Sequence, residues 1–172
     1  MDALTYTTLR SPIGRLTLVA TDRGLCAVCF PNDDGYKLPT TFGEPVRDDR
    51  ALAPFAERFE AYFAHDLKDF DIPLDLSIAT PFQQRVLRAL ARVGYGELTS
   101  YGELARRVGT GPRAVGGAVG RNPLPIVIGC HRVIAGDGSL GGFGGGLDTK
   151  RYLLALEGHE GLAGGWEKIR RR

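Results

Sequence analysis

The stretch PIVIGCHRVI, residues 125–134, sets Cys130 beside His131 at the end of an apolar run. A thiolate is both a nucleophile and a metal ligand, and an imidazole readily takes up a proton near neutral pH. Free cysteine is most often a small buried hydrophobe, but three features weigh against that reading here. The thiol falls where a buried strand, LPIVI, is expected to meet a loop, a usual place for site residues. His131 supplies a possible base. Downstream lies GSLGGFGGGL, residues 138–147, whose bare backbone groups suit close contact with a flat ligand. Neighbouring side chains on an extended chain point to opposite faces, so a water or a local bend has to join Cys130 to His131. A third group is expected to orient the imidazole, and Glu157, at a helix end, is the best-placed acid of this half.

Metal chemistry finds less support. CAVC, residues 26–29, has C-x-x-C spacing, but on a strand positions i and i+3 face opposite sides, and no second Cys/His pair follows. No metal and no cofactor are expected, and His65 and His159 are given no role. Three cysteines, an odd number, argue against a disulfide framework and for a reducing compartment. No apolar run approaches the roughly 20 residues that span a bilayer, and MDALTYTT lacks the pattern of a secretory signal. The expectation is a cytoplasmic protein, monomeric, with no membrane partner.

The elements that must position these residues fall into two halves. Residues 1–78 carry 8 Lys/Arg against 13 Asp/Glu, and residues 79–172 carry 14 against 7. The basic half is the electrostatic candidate for a polyanion, and a domain boundary is placed near residue 78. The first 30 residues alternate apolar and polar positions between the turns SPIG and TDRG, which predicts a three-stranded antiparallel meander. PNDDGYKLPTTFGEP reads as a loop. RALAPFAERFEAYFAHD sets Leu52, Phe55, Phe59, Tyr62 and Phe63 at helical spacing, and FDIPLDLS reads as a short strand or an extended crossing.

In the basic half, Thr80, Pro81 and Gln83 spell a capping box and a helix start. SYGELARRVG repeats the device with Ser100 and Glu103, lays Tyr101, Leu104, Ala105 and Val108 on one face, and stops at Gly109. TGPRAVGGAVGRN then starts a second helix after a tight turn, giving a helix-turn-helix over 100–121. Ala114, Gly116, Gly117 and Ala118 leave that second helix nearly bare. Such a surface suits either close packing on a neighbouring helix or approach to a nucleic-acid backbone, with Arg113 projecting from the helix start. LDTKRYLLALEG predicts a last helix with Asp148 as N-cap, a stripe of Tyr152, Leu153 and Leu156, and Gly158 as its stop. The tail GGWEKIRRR reads as loosely ordered. The whole is an α+β chain: a small antiparallel sheet with a helix over 1–78, then a mainly helical domain with the helix-turn-helix over 79–172.

YGELTSYGELA, RAVGGAVGRNP, PIVIGCHRVI, GGFGGGL and KRYLLALEG, in that order and spacing over residues 80–158, resemble the O6-alkylguanine-DNA alkyltransferase family, the methylated-DNA–protein-cysteine methyltransferases. The first 78 residues resemble that family's variable N-terminal domain only in layout. The resemblance implies a DNA-repair protein whose helix-turn-helix enters the minor groove of duplex DNA carrying O6-alkylguanine, and O4-alkylthymine as well. Arg113 would replace a nucleotide flipped from the stack, Ala114, Gly116 and Gly117 would face the DNA, and Asn122 would tie the helix to the cysteine loop. Pro125 and Phe143 would wall the pocket that continues into Gly145, backbone groups of Cys130 and Val133 would read the base edge, and Gly144 N–H would reach O6. Glu157 and His131, through a water, would yield the Cys130 thiolate, Tyr101 would donate to guanine N3, and the alkylated thiol would not be regenerated.

Two departures stand out. Gly129 occupies a position that is commonly proline in this family, which implies a more loosely placed thiol, and Phe143–Gly144 keeps a stacking ring while dropping side-chain hydrogen bonds to the lesion. The latter implies a roomier pocket for bulkier alkyl groups. Three other readings of the chain are a lesion-recognising protein without chemistry, a Cys-His thiol hydrolase built on Cys130, His131 and Glu157, and a transcription regulator.

Overall fold

The computed structural model describes residues 3–31 and 43–160. The tail GGWEKIRRR and most of the loop after residue 31 lie outside them. The chain divides into two compact units, Met1–Thr80 and Pro81–Arg172.

In the first unit β1 (Thr5–Ser11), β2 (Gly14–Thr21) and β3 (Gly24–Cys29) form the antiparallel meander. A two-residue strand not foreseen from the sequence, β4 (Val46–Arg47), just beyond the expected loop, pairs in parallel with β1, and the sheet order is β3-β2-β1-β4. So short a strand leaves no periodicity; it is held by Val46 N–H to Leu4 O and Asp48 N–H to Tyr6 O. Helix α1 (Asp49–Phe63) is capped by Asp48, whose side chain accepts from Ala51 N–H, and it buries Leu52, Phe59 and Tyr62. The expected crossing at FDIPLDLS is extended backbone bonded to β3 at Leu25 and Leu74. Gly24, with φ +148°, allows this approach, because a Cβ there would lie 2.3 Å from Pro73 O. The register of β2 and β3 shifts between Val19 and Ala20, so Cys26 sits in a bulge rather than in regular alternation.

In the second unit, α2 (Pro81–Ala91), α3 (Tyr101–Val108) and α4 (Pro112–Gly120) pack on one another. They bury Val86, Leu87 and Leu90, then Leu104 and Ala105, then Val115, Ala118 and Val119. Ser100 Oγ accepts from Glu103 N–H, while the Glu103 carboxylate accepts from the Thr99 hydroxyl rather than closing the box on the Ser100 backbone. Gly109, at φ +81°, ends α3 in the left-handed conformation. Helix α5 (Leu147–Leu156) corrects two expectations. Its N-cap is Gly146 with no side-chain cap bond, and Asp148 lies inside the first turn, paired with Arg151. Tyr152 is exposed, and Leu154 takes its place on the buried stripe.

Strands β5 (Thr99–Ser100) and β6 (Val133–Ile134) form a two-stranded parallel sheet, Thr99 opposite Val133 and Ser100 opposite Ile134. This short pairing sets the first residue of α3, Tyr101, beside the segment that carries Cys130.

Candidate functional site

The segment leading to Cys130 is not a strand. Residues 123–128 form turns, and Cys130–Arg132 is a single 3-10 turn. Asn122 causes the folding back: its Oδ1 accepts from Leu124 N–H at 3.0 Å and its Nδ2 donates to Ile128 O at 2.9 Å. Between those bonds Ile126, β-branched and buried, is held at φ +76°, a conformation costing on the order of 1–3 kcal/mol. Extended-chain alternation therefore does not describe Cys130 and His131.

Gly129 has φ −71° and ψ 64°, and Cys130 N–H reaches Ile128 O at 2.7 Å, an inverse γ-turn. A side chain could adopt this backbone, but the space is filled: a Cβ on Gly129 would lie 2.6 Å from Arg132 Cδ. The expected loosening of the thiol is not what the geometry provides, since a hydrogen bond and a packed arginine hold this glycine.

Cys130 is 8% exposed. Burial pushes its thiol above the ordinary range, while a hydrogen bond with the Asn122 side chain, the Lys150 charge and the Cys130 and His131 backbone amides pull it down. His131 is fully buried, and its Nε2 lies 2.7 Å from Glu157 Oε2. Arg132 grips the same carboxylate, Nε to Oε1 at 2.8 Å and Nη2 to Oε2 at 3.0 Å, and donates to Val93 O at 2.7 Å. Gly96 N–H adds a bond to Glu157 Oε1 at 3.1 Å. Burial alone would raise the Glu157 pKa, but the bonds and charges of His131 and Arg132 hold it well below the usual carboxylate range. Glu157 is thus an acceptor at both oxygens, and His131 Nε2 carries a proton. Burial keeps the imidazole neutral, so Nδ1 is a buried lone pair, without a hydrogen-bond partner.

Tyr101 is half-buried. Its ring lies 3.4 Å from the Cβ position of Gly141, at the start of the glycine-dense loop, and 3.9 Å from that of Gly116 on α4. Burial, then the nearby Cys130, raises its pKa and keeps the hydroxyl a donor. On α4 Arg113, Ala114 and Gly117 are exposed, and nothing lies within 4 Å of a Cβ at Gly117. Helix packing therefore does not explain Gly117, whereas Ala118 is buried. Pro125, Val133 and Gly145 are buried, Phe143 is half-buried, and Gly144 is exposed with open space at its Cβ position. No group of three or more His, Cys, Asp or Glu side chains able to hold a metal occurs among the described residues, and no described helix is long and apolar enough to cross a membrane.

Residues 81–159 match the family model for the DNA-binding domain of 6-O-methylguanine DNA methyltransferase, and residues 4–76 match its ribonuclease-like domain. The chain belongs to the 6-O-methylguanine DNA methyltransferase family. A methylated-DNA–protein-cysteine methyltransferase of Mycolicibacterium paratuberculosis is 49% identical, over 88% of this chain and 91% of that protein. A protein of the same name from Haemophilus influenzae is 42% identical, over 91% and 88%. The crystal structure of Mycobacterium tuberculosis OGT in complex with DNA superposes with TM-score 0.81 at 42% identity, covering 89% of this chain and 92% of that one. The resemblance read from the motifs stands, as does the α+β fold.

Two residues packed around this candidate site escaped the sequence reading. Arg132, next to His131, holds Glu157. Lys150 is fully buried, with its Nζ on backbone carbonyls of β6 and the glycine-dense loop. A signal was there: Lys150, Leu153, Leu154 and Glu157 fall at i, i+3, i+4 and i+7, which puts the lysine and the glutamate on the apolar stripe of α5.

Proposed function

We propose that this methyltransferase repairs O6-alkylguanine, and O4-alkylthymine, in double-stranded DNA by moving the alkyl group onto Cys130. The observation that carries the reading is the buried His131, fixed by Glu157 at Nε2 and presenting an unpartnered Nδ1 in the residue next to the thiol. One water between Sγ and Nδ1 carries the thiol proton to the imidazole. The thiolate attacks the alkyl carbon in line; the S–C bond forms as the C–O6 bond breaks, and the electron pair leaves with the guanine. Tyr101 donates to N3 and quenches that charge.

The family likeness supplies the remaining roles. Arg113 fills the stack vacated by the flipped base, Ala114, Gly116 and Gly117 let α4 approach the DNA, and Asn122 couples α4 to the cysteine turn. Pro125 and Phe143 flank the base, Val133 and Cys130 backbone groups read its edge, and Gly144 and Gly145 line the alkyl end. A thioether offers no leaving group for hydrolysis under mild conditions, so each molecule acts once. The reading also takes the protein to act as a monomer in the cytoplasm.

The test is the intact mass of the protein after incubation with a duplex containing O6-methylguanine, with Cys130→Ser alongside. One methyl gained on Cys130 per molecule, and none in the variant, is the expected result. Unchanged mass with tight lesion-selective binding would replace the reading with damage recognition alone, and turnover of an ester would replace it with a hydrolase.

A further inference from the structure

His159 takes no part in the alkyl-transfer chemistry, yet the way α5 ends aims it at one backbone group. Gly158 has φ +99°, and the chain turns back there. Gly158 N–H bonds to Ala155 O at 3.0 Å and His159 N–H to Leu154 O at 2.8 Å, the Schellman end that a left-handed glycine allows. The half-buried imidazole is thereby set against the segment that follows α2, with its Nε2 2.6 Å from Gly96 O. A carbonyl oxygen only accepts, so Nε2 carries the proton and donates.

The segment it meets is a β-turn, closed by Glu97 N–H to Gly94 O at 3.0 Å. Gly96 occupies the third position at φ +77°, where a Cβ would lie 3.3 Å from Glu157 O. Gly96 N–H donates to Glu157 Oε1 at 3.1 Å, while its carbonyl accepts from His159. Beside it the Tyr95 hydroxyl donates to Leu156 O at 3.0 Å, satisfying a carbonyl that the helix end leaves open. Just before the turn, Val93 O accepts from Arg132 at 2.7 Å. The Glu157 carboxylate and the arginine that grips it therefore both brace on residues 93–96. His159 and Tyr95 fasten that brace to the end of α5.

We propose that His159 is a positioning residue for alkyl transfer: by holding Gly96 O it keeps Gly96 N–H on the Glu157 carboxylate, and so keeps His131 aligned at Cys130. The inference rests on the reading in which Glu157 and His131 activate Cys130. No bond to the alkyl group is made or broken at His159, and its proton stays in place throughout.

The experiment uses the full chain and a double-mutant cycle. Single-turnover transfer from an O6-methylguanine duplex is measured for His159→Leu and His159→Gln, each made in wild type and in Glu157→Gln, with exchange of the Gly96 amide followed by 15N NMR. Misplacing a group that orients a base is costly, so His159→Leu is expected to slow transfer by at least about threefold. His159→Gln, whose amide can donate where the imidazole does, is expected to recover the rate to within about twofold of wild type. Gly96 amide exchange should quicken in His159→Leu as the brace opens locally. In Glu157→Gln, His159→Leu should cost less than about twofold, because the carboxylate it positions is already gone. A histidine that merely supports the fold would slow both backgrounds by the same factor, and that result overturns the proposal. So does a smaller loss in wild type, a glutamine that fails to recover the rate, or unchanged Gly96 exchange. A wild type that never alkylates Cys130 on damaged DNA overturns instead the reading on which the proposal rests. If His159→Leu does not fold, Tyr95→Phe, which removes one hydroxyl from the same brace, takes its place in the cycle: slowing confined to the wild-type background supports the proposal, and equal slowing in both, or none, overturns it.

Discussion

His131 Nε2 and Glu157 Oε2 are 2.7 Å apart, both side chains are shut off from solvent, and 26 residues of chain separate them. Removing the carboxylate leaves Arg132 as an uncompensated buried cation and the imidazole free to turn. Glu157→Gln is expected to lower the transfer rate by at least about 100-fold, the low end of what a positioned base contributes. The same change should cost about 3–5 kcal/mol of stability, the usual cost of breaking a buried ion pair. Rapid-quench transfer assays and urea unfolding read the two effects, and a variant that loses neither would remove Glu157 from the mechanism.

Acid should destabilise the protein in two stages. The folded state depresses proton uptake by His131, so below about pH 6.5 the unfolded chain binds a proton that the folded one does not. Glu157 is also depressed in the fold, and adds a loss of the same sign as pH falls through and below about 4.3. Unfolding free energy is therefore expected to decline steadily from pH 7 to pH 3, with the lower limb weakened in Glu157→Gln. A flat profile over that range would contradict both assignments.

Arg113 stands exposed at the start of α4. If it fills a vacated stack, Arg113→Ala should slow repair of duplex DNA by about 30-fold, equivalent to ~2 kcal/mol of unstacking left unopposed. Transfer from free O6-benzylguanine, which needs no flipping, should stay within twofold of wild type. Equal losses on both substrates would place Arg113 elsewhere in the reaction.

Gly117 offers a separate test of the α4 surface, because open space surrounds its Cβ position. Gly117→Ala should raise stability by about 0.5–1 kcal/mol through helix propensity. Gly117→Leu should fold as well as wild type yet bind duplex DNA at least tenfold more weakly. A leucine variant with unchanged DNA affinity would take this face out of the interface.

Open space at Gly144, in a loop that retains Phe143, leads to an expected benzyl transfer rate at least equal to the methyl rate on matched duplexes. A strong preference for methyl in single-turnover assays would show a pocket closed by something other than this loop's side chains.

How far the sequence could be read depended on how far away each residue's partners lie. Ser100 and Gly109 mark the ends of α3 through bonds to residues three or four positions away, so local pattern found them. LPIVI has the composition of a buried strand, but the side chain of Asn122, bonding forward to Leu124 and Ile128, and the backbone bond from Ile128 N–H to Leu124 O hold it in turns. Gly129 misled for a related reason: what fills its missing side chain is Arg132, drawn there by a glutamate 25 residues further on. Lys150 was hidden by its charge, which ordinarily marks a solvated face; its apolar spacing outweighed its type because backbone carbonyls, those of Val133 and Gly142 among them, accept from its Nζ.

The Tyr95 hydroxyl bonds to Leu156 O, 61 residues away; Lys150 lies within the last described long helix and Glu157 caps its C-terminal end. During synthesis Cys130 leaves the ribosome well before either of them. If His131 and Glu157 activate Cys130 as proposed, the nascent chain exposes an ordinary thiol without a fixed base, and activation waits until α5 docks. On the proposed single-use chemistry, the thiol is in this way spared from stray alkylating agents while the chain is still being made.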